Sequence, residues 1–175
     1  LPEIPAPISE AELQVDELAL LPLSVATVFI VENQATYLAF PDVPDAIVIF
    51  GKGFGVTVLE GVPWLAEREV IYWGDIDSHG FSILNRLRQR IPGARSILMD
   101  RSTFLAHRSQ LVSEDAPTRE RLVNLSADEQ ALYSDLVEDR YGVSRRLEQE
   151  RIRFSLVRQA LSPWLDDTRP NPRAS

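Results

Sequence analysis

The sequence predicts an α/β domain in which a parallel sheet of about four strands is flanked by helices and followed by a helical C-terminal extension. Short apolar runs rich in β-branched residues alternate with segments whose apolar residues recur at helical spacing. Each of these runs is followed directly by Gly or by an acidic residue. Alternation of this kind favours a parallel sheet, because parallel strands need a crossover connection that is usually a helix.

The elements of the core are predicted in chain order from these runs and from the polar residues that begin helices. Asn33 suits the N-cap of a short helix over 34–40, and Ser78 is expected to cap a longer helix. A further helix is expected to begin at Ser102 or Thr103. The predicted strands cover 28–31, 46–50, 69–73 and 96–99.

From Ser113 onward the pattern becomes helical, with no strand expected between the periodic segments over 126–139 and 145–161. Ser126 followed by Glu129 fits a capping box at the start of the first of these segments. The predicted organisation is a linker over 1–22, a core over 23–112, a helical extension over 113–165 and a disordered tail over 166–175.

The composition restricts the metal chemistry that the protein can support. The 175 residues include no Cys and two His, which excludes disulfides, iron-sulfur clusters, thiolate zinc sites and His-rich metal sites. The net charge of -8 opposes binding to DNA phosphates unless divalent metal, basic domains or partners assist. Any metal is therefore expected to have oxygen ligands.

The N-terminal part of the sequence has no predicted membrane span or leader. The apolar run over 18–31 is interrupted by Pro22, Ser24 and Thr27, and it is shorter than the roughly 20 residues that cross a bilayer. No basic stretch precedes an apolar one, and the lack of an initiator Met suggests a chain that begins inside a larger protein. We expect a cytoplasmic bacterial protein with no membrane contact.

Three acidic residues follow predicted strands at the edge where open α/β sheets bind ligands. Glu32 follows the first strand, and Asp75 and Asp77 follow the third. If these strands are neighbours, their backbones lie about 4.8 Å apart. In extended backbone the Asp-x-Asp spacing turns both aspartates to one side while Ile76 turns to the other. The three carboxylates are therefore expected to form a cluster.

A cluster of carboxylates is costly unless a proton or a cation neutralises it. Two carboxylates about 5 Å apart repel by roughly 3 kcal/mol at an effective dielectric of about 20. Because the available ligands are oxygen atoms, the expected cofactor is Mg²⁺ or Mn²⁺. In the competing interpretation these acids only cap helices, which is less favoured because three of them share one edge.

A Glu after one strand and an Asp-x-Asp after a later one resemble the Toprim signature of topoisomerases, DnaG-type primases and related nucleases. Over roughly 25–160 the chain also resembles the C-terminal domain of the JetD family, the nuclease subunits of the Wadjet plasmid-defence system. The similar segments are VFIVENQATYLAFP at 28–41, AIVIFGKGFG at 46–55, VIYWGDIDSHGFSILNRLR at 70–88 and ILMDRSTFLAH at 97–107.

This resemblance implies a Toprim-like core, related to the A subunit of topoisomerase VI, that hydrolyses phosphodiester bonds in double-stranded DNA, expected to be circular plasmid. The implied partners are a motor complex of the structural-maintenance-of-chromosomes type (JetABC) and a second copy of the chain in a homodimer. An N-terminal DNA-binding portion is also implied.

The resemblance implies metal-assisted hydrolysis with one or two ions, in which Asp75 and Asp77 are catalytic and metal-binding. Glu32 is either a ligand or a general acid or base. Lys52, in a glycine-flanked loop at the same edge, is expected either to hold the scissile phosphate or to be a surface lysine. Additional metal ligands are implied at Glu148 and Glu150, for which a solvated helix surface is the alternative.

Four other features have both a functional and a structural interpretation. Asp100 either supports the site or caps the next helix, which we favour slightly. His79 lies near a helix N-terminus and either binds phosphate or forms a local hydrogen bond, whereas His107 is expected to be structural. An exposed helix face, rather than a DNA-tracking surface, is the expected setting of Arg86, Arg88 and Arg90.

Two other functions are compatible with the sequence. A haloacid-dehalogenase-type phosphatase also uses Asp-x-Asp after a strand, but there the pair follows the first core strand and its leading Asp forms a phosphoenzyme. In the other alternative the domain is a non-catalytic Toprim-like scaffold whose acidic pocket receives a signal or stabilises an assembly. DNA cleavage is favoured by the resemblance, whereas the metal site is inferred from the residues themselves.

Overall fold

The computed structural model describes residues 10–51 and 61–165. Its core is a four-stranded sheet in the order β2-β1-β3-β4, and all three strand pairs are parallel. The predicted parallel sheet is confirmed, and the strand that precedes Glu32 lies beside the strand that precedes Asp75. The strands are β1 (Thr27–Val31), β2 (Ala46–Phe50), β3 (Glu69–Trp73) and β4 (Arg95–Ser96).

Four of the helices of the described residues begin at a polar residue whose side chain caps them. Asn33 accepts a hydrogen bond from the Thr36 backbone N–H at 2.9 Å, and Ser126 forms the predicted capping box with Glu129. Ser78 is not the cap of the third helix as predicted, because the Asp77 side chain takes that role. None of the described helices is long and apolar enough to cross a membrane. They are α1 (Val15–Leu20), α2 (Gln34–Leu38), α3 (Ser78–Arg90), α4 (Arg101–Ala106), α5 (Ala127–Val137) and α6 (Phe154–Leu165). The four capped helices are α2 to α5.

The central strand β1 is buried along its whole length, which explains why an uninterrupted apolar run predicted it correctly. Phe29 on this strand packs against Phe40 and Trp164, with ring centroids 5.1 and 5.5 Å away. Helix α3 contacts α5 through the rings of Phe81 and Tyr133, 6.1 Å apart. These contacts fix the frame from which the acidic residues project.

Two predictions about the second half of the sheet and the chain were wrong. Strand β4 stops at Ser96 instead of Met99, since Leu98 has a positive φ of 58° and ends the extended backbone. The segment 145–161 is not one helix. It starts with β6 (Arg145–Arg146), which pairs antiparallel with β5 (Val112–Ser113), and a 3-10 turn (Gln149–Arg151) precedes α6.

The cause of the second error is tertiary pairing. Leu147 exchanges backbone hydrogen bonds of 2.9 and 3.1 Å with Ile76, and this pairing holds the segment extended despite its helical periodicity. The predicted tail over 166–175 lies outside the described residues.

Candidate metal and phosphate site

The carboxyl ends of β1 and β3 place the predicted acids at one edge. Val31 and Trp73 are register partners in adjacent parallel strands, so Glu32 and Gly74 leave the sheet side by side. Asp75 and Asp77 follow on the β3 side. The structure therefore gives all three acids the strand-end placement that the sequence predicted.

Asp77 is a buried carboxylate with little to stabilise its charge. Asp77 is only 3% exposed, and its Oδ1 accepts one hydrogen bond, from the Gly80 backbone N–H at 2.7 Å. Burial raises the pKa of Asp77 to about 7; the Gly80 hydrogen bond opposes this shift, and the neighbouring charges of Asp75 and Glu114 add to it. Near neutral pH Asp77 therefore retains its proton more readily than an ordinary aspartate, and a bound cation would replace that proton.

Gln149 connects Asp75 to the end of β1. The Gln149 backbone N–H donates to Asp75 Oδ1 at 2.7 Å, while its side-chain Oε1 accepts from the backbone N–H groups of Glu32 and Asn33 at 3.3 and 3.1 Å. Gln149 is 1% exposed, so these bonds are shielded from water. Burial raises the pKa of Asp75, and the Gln149 hydrogen bond offsets part of that shift.

A buried hydroxyl lies near the three acids. Tyr72 is fully buried, and its Oη has no hydrogen-bond partner among the described residues. Burial raises the pKa of Tyr72 well above 10.0, and the charges of Glu32, Asp77 and Asp75 contribute in that order. An unpartnered donor of this kind points to a bound water or ligand oxygen at the acidic edge.

Glycines leave room at the same edge. Gly51 follows β2 and donates its N–H to the Val31 carbonyl at 2.8 Å. A Cβ atom at Gly51 would lie 2.9 Å from Glu32 Oε1, so a larger residue would displace that carboxylate. Gly80 is more tightly confined, because a Cβ there would lie even closer to the Asp75 carbonyl oxygen and collide with it. The other predicted residue of this loop, Lys52, lies outside the described residues.

Glu148 and Glu150, the other predicted ligands, differ in their surroundings. The Glu148 carboxylate accepts hydrogen bonds from Arg146 Nη2 and from Arg151 Nε, the latter at 2.5 Å. The Arg151 hydrogen bond holds the pKa of Glu148 below its usual value, against burial and with help from Arg146. Glu150 is exposed, and its charge contributes to the raised pKa of Asp75. Metal binding by either residue stays a prediction.

Glu114 is a buried acid that the sequence analysis missed. Its carboxylate accepts from the backbone N–H groups of Ser78 and His79 at 3.2 and 3.3 Å, and from the Ser78 hydroxyl at 2.5 Å. It therefore occupies the N-terminus of α3, where phosphate binding beside His79 was one of the two predicted alternatives. The His79 ring instead lies 3.0 Å from the Ala116 carbonyl oxygen. No local pattern around Glu114 indicates this contact, because the partners are more than 30 residues apart.

Two of the secondary candidates have structural roles. Asp100 caps α4 by accepting the Thr103 N–H at 2.8 Å, which was the favoured interpretation. His107 is fully buried; Nδ1 lies 2.8 Å from the Thr103 carbonyl oxygen, and Nε2 accepts from the Arg153 N–H at 3.1 Å. His107 thus links α4 to the start of α6.

The donor set suits a hard divalent cation that binds few protein oxygens. Within 10–51 and 61–165, no three His, Cys, Asp or Glu side chains are arranged to hold an ion by themselves, so Glu32, Asp75 and Asp77 do not form the predicted three-carboxylate cluster. Asp75 and Asp77 each use Oδ1 in a hydrogen bond, and their Oδ2 atoms accept none from the described residues. Mg²⁺ often binds one or two carboxylates and keeps several waters. The Asp75–Asp77 pair and the nearby Tyr72 hydroxyl fit this mode.

Comparison with known proteins gives one informative match. The family model described as Wadjet protein JetD, C-terminal, matches residues 2–161 and so covers the described sheet, the acidic edge and most of α6. No curated protein matches the chain.

Proposed function

Because the chain belongs to the family of Wadjet protein JetD C-terminal regions, we propose that it is the metal-dependent DNA endonuclease domain of this defence system, with a Toprim-type core. The observation that carries the proposal is the pair of repelling carboxylates at the carboxyl edge of a parallel sheet, where Asp77 is buried and Asp75 is half-buried. Raised pKa values of this kind are costly in a purely structural site and are common where a cation or proton is handled.

In this proposal Asp75 and Asp77 hold Mg²⁺ or Mn²⁺ through the oxygen atoms that are not hydrogen-bonded within the protein. When bound, the ion would activate water and offset the charge that develops on the phosphodiester. Asp77 must release its proton before it can bind the ion, so binding is accompanied by proton release near neutral pH. Glu32 contributes either as a ligand or as the residue that accepts a proton from the attacking water.

The rest of the chain supports this chemistry by holding the acids in place. Gln149 fixes the Asp75 carboxylate relative to the backbone of Glu32, and the Gly80 N–H fixes Asp77. Such preorganisation lowers the cost of binding ion and substrate.

We also propose that the domain acts on circular double-stranded DNA delivered by a motor complex of the structural-maintenance-of-chromosomes type. The net charge of -8 supports this requirement, since an acidic chain has little affinity of its own for a polyanion. A homodimer would supply two sites for a double-strand break.

The proposal is tested by plasmid cleavage with the reconstituted complex carrying Glu32→Ala or Asp77→Asn in the full chain. Loss of metal-supported charge stabilisation is expected to slow cleavage by at least about 100-fold. Asp128→Asn, an exposed residue in the first turn of α5, is the matched control and should cleave normally. Intact cleavage by both site variants, cleavage without divalent ions, or phosphatase turnover without nicking would each contradict it.

A further inference from the structure

The two charged residues that flank Leu147 share a face with the aspartate pair. The Ile76–Leu147 bridge is antiparallel and hydrogen-bonded in both directions. In this geometry Asp77 lies opposite Arg146, and Asp75 lies opposite the residue after Leu147. Side chains of directly opposed residues point to the same side, with Cβ atoms about 5 Å apart. The bridge therefore adds a guanidinium group to the acidic edge.

Arg146 is near the aspartates without being paired to them. Its Nη2 donates to Glu148, and it forms no ion pair with Asp75 or Asp77 in the described part of the chain. Glu148 also accepts from Arg151, so two guanidinium groups share one carboxylate and a positive charge remains. Arg146 Nε is buried and has no hydrogen-bond partner among the described residues.

Arg88 shows how a purely structural arginine differs. Its Nε donates to the Ala94 carbonyl at 2.8 Å, and its terminal nitrogens bind both oxygens of Glu129. A guanidinium group presents five N–H donors in a fixed fork, and leaving one of them buried without an acceptor is unfavourable. The unused donor of Arg146 therefore indicates an acceptor other than the described residues.

We propose that Arg146, oriented by Glu148, binds a non-bridging oxygen of a DNA backbone phosphodiester at the edge formed by Asp75 and Asp77. Guanidinium is suited to this task because its donors match phosphate oxygens. The acids on the same face repel the anion unless a cation is present, so Arg146 and a bound ion would hold the phosphate from two sides. This inference rests on the proposed function, and it gives Glu148 the role of orienting the Arg146 side chain.

The test compares Arg146→Ala and Arg146→Lys in the full chain, with Arg158→Ala, an exposed arginine of α6, as the matched control. Duplex binding by the reconstituted complex is measured with Ca²⁺ over a range of salt concentrations, and Mn²⁺ binding by the chain is measured without DNA by electron paramagnetic resonance. Arg146→Ala should weaken duplex binding on the order of tenfold and reduce the salt slope by about 1, with Arg146→Lys intermediate. Mn²⁺ affinity should be unchanged or higher, since a neighbouring cation is removed.

Unchanged duplex affinity and salt slope in Arg146→Ala would overturn the inference, as would a loss of Mn²⁺ affinity equal to that of Asp77→Asn. If Arg146→Ala does not fold, Arg146→Lys decides, because it keeps the charge but cannot form the planar fork. Failure of the proposed function is distinguishable. Normal duplex binding by Arg146→Ala alongside loss of cleavage in Asp77→Asn contradicts the phosphate contact alone. Weak duplex binding by Arg146→Ala alongside normal cleavage by Asp77→Asn contradicts only the nuclease.

Discussion

A buried carboxylate lies near each end of α3, and the two differ in their hydrogen-bond partners and in the direction of their pKa shifts. At the N-terminal end, Asp77 has one hydrogen bond and a pKa raised to about 7. Near the C-terminal end, Glu129 accepts hydrogen bonds from Arg88, from the Ser96 hydroxyl and from the Ser126 N–H. Both residues are at most 7% exposed, so burial alone does not explain the difference.

What separates these two carboxylates is the supply of partners. Burial raises the pKa of Glu129 too, but the hydrogen bonds from Arg88, Ser96 and Ser126 outweigh it and hold that pKa below its ordinary value. The fold thus provides a cation where a carboxylate is structural. Asp77 has no cationic partner among the described residues, although Arg146 lies on the same face. The lack of such a partner favours a cation from solution.

The largest expected effect on stability is at the Glu129 end. Arg88→Ala leaves Glu129 buried without its cation, and the free energy of unfolding should fall by about 3 to 5 kcal/mol. Asp77→Asn removes an unfavourable charge and should cost little or stabilise the metal-free protein. Denaturant unfolding of both variants checks this contrast. Equal destabilisation by the two substitutions would show that the carboxylates play the same role.

The next largest effect is expected at the link between the two halves of the site. Gln149→Ala removes the side-chain acceptor for the Glu32 and Asn33 N–H groups. Because this acceptor helps to hold the Gln149 backbone that binds Asp75, Mn²⁺ affinity should fall about 10- to 100-fold. The matched control is Gln159→Ala, at an exposed site on α6. Full Mn²⁺ affinity in Gln149→Ala would contradict a positioning role.

The two carboxylates should also respond oppositely to pH. Because the folded pKa of Asp77 is raised from 3.8 to about 7, its contribution to stability is full below 3.8 and is lost as pH rises through about 7. The pKa of Glu129 lies below 4.5, so its contribution is full above 4.5 and is lost as pH falls. In EDTA, Asp77→Asn should therefore flatten the decline in unfolding temperature between about pH 4 and about pH 7. An unchanged slope would count against the raised pKa.

The smallest expected effect separates two tyrosine hydroxyls. Tyr72→Phe removes a buried donor without a partner in the described residues and should stabilise the metal-free protein by about 1 kcal/mol. Tyr133→Phe loses a 2.7 Å hydrogen bond to the Glu120 carbonyl and should destabilise it by about 1 kcal/mol. Denaturant unfolding in EDTA measures both. Destabilisation by Tyr72→Phe would mean that its hydroxyl is already satisfied without an ion.

The sequence predicted what local patterns determine. Buried apolar runs located the central strands, and strand-end placement located Glu32, Asp75 and Asp77. It did not predict the contribution of 112–152, because the Ile76–Leu147 bridge and the contacts of Glu114 and Gln149 join residues far apart in the chain. The sequence predicted Glu148 and Glu150 as site residues but not Gln149 between them. An uncharged side chain gives no local signal of a role beside a metal site.

The central claim is that Asp75 and Asp77 form a divalent-cation site whereas Glu129 is structural. Mn²⁺ titration of the full chain, followed by electron paramagnetic resonance at neutral pH, tests it most directly. We predict saturable binding by the wild type and by Asp128→Asn, with affinity at least about tenfold lower in Asp77→Asn. Equal affinity in all three proteins, or no binding by the wild type, would contradict the claim.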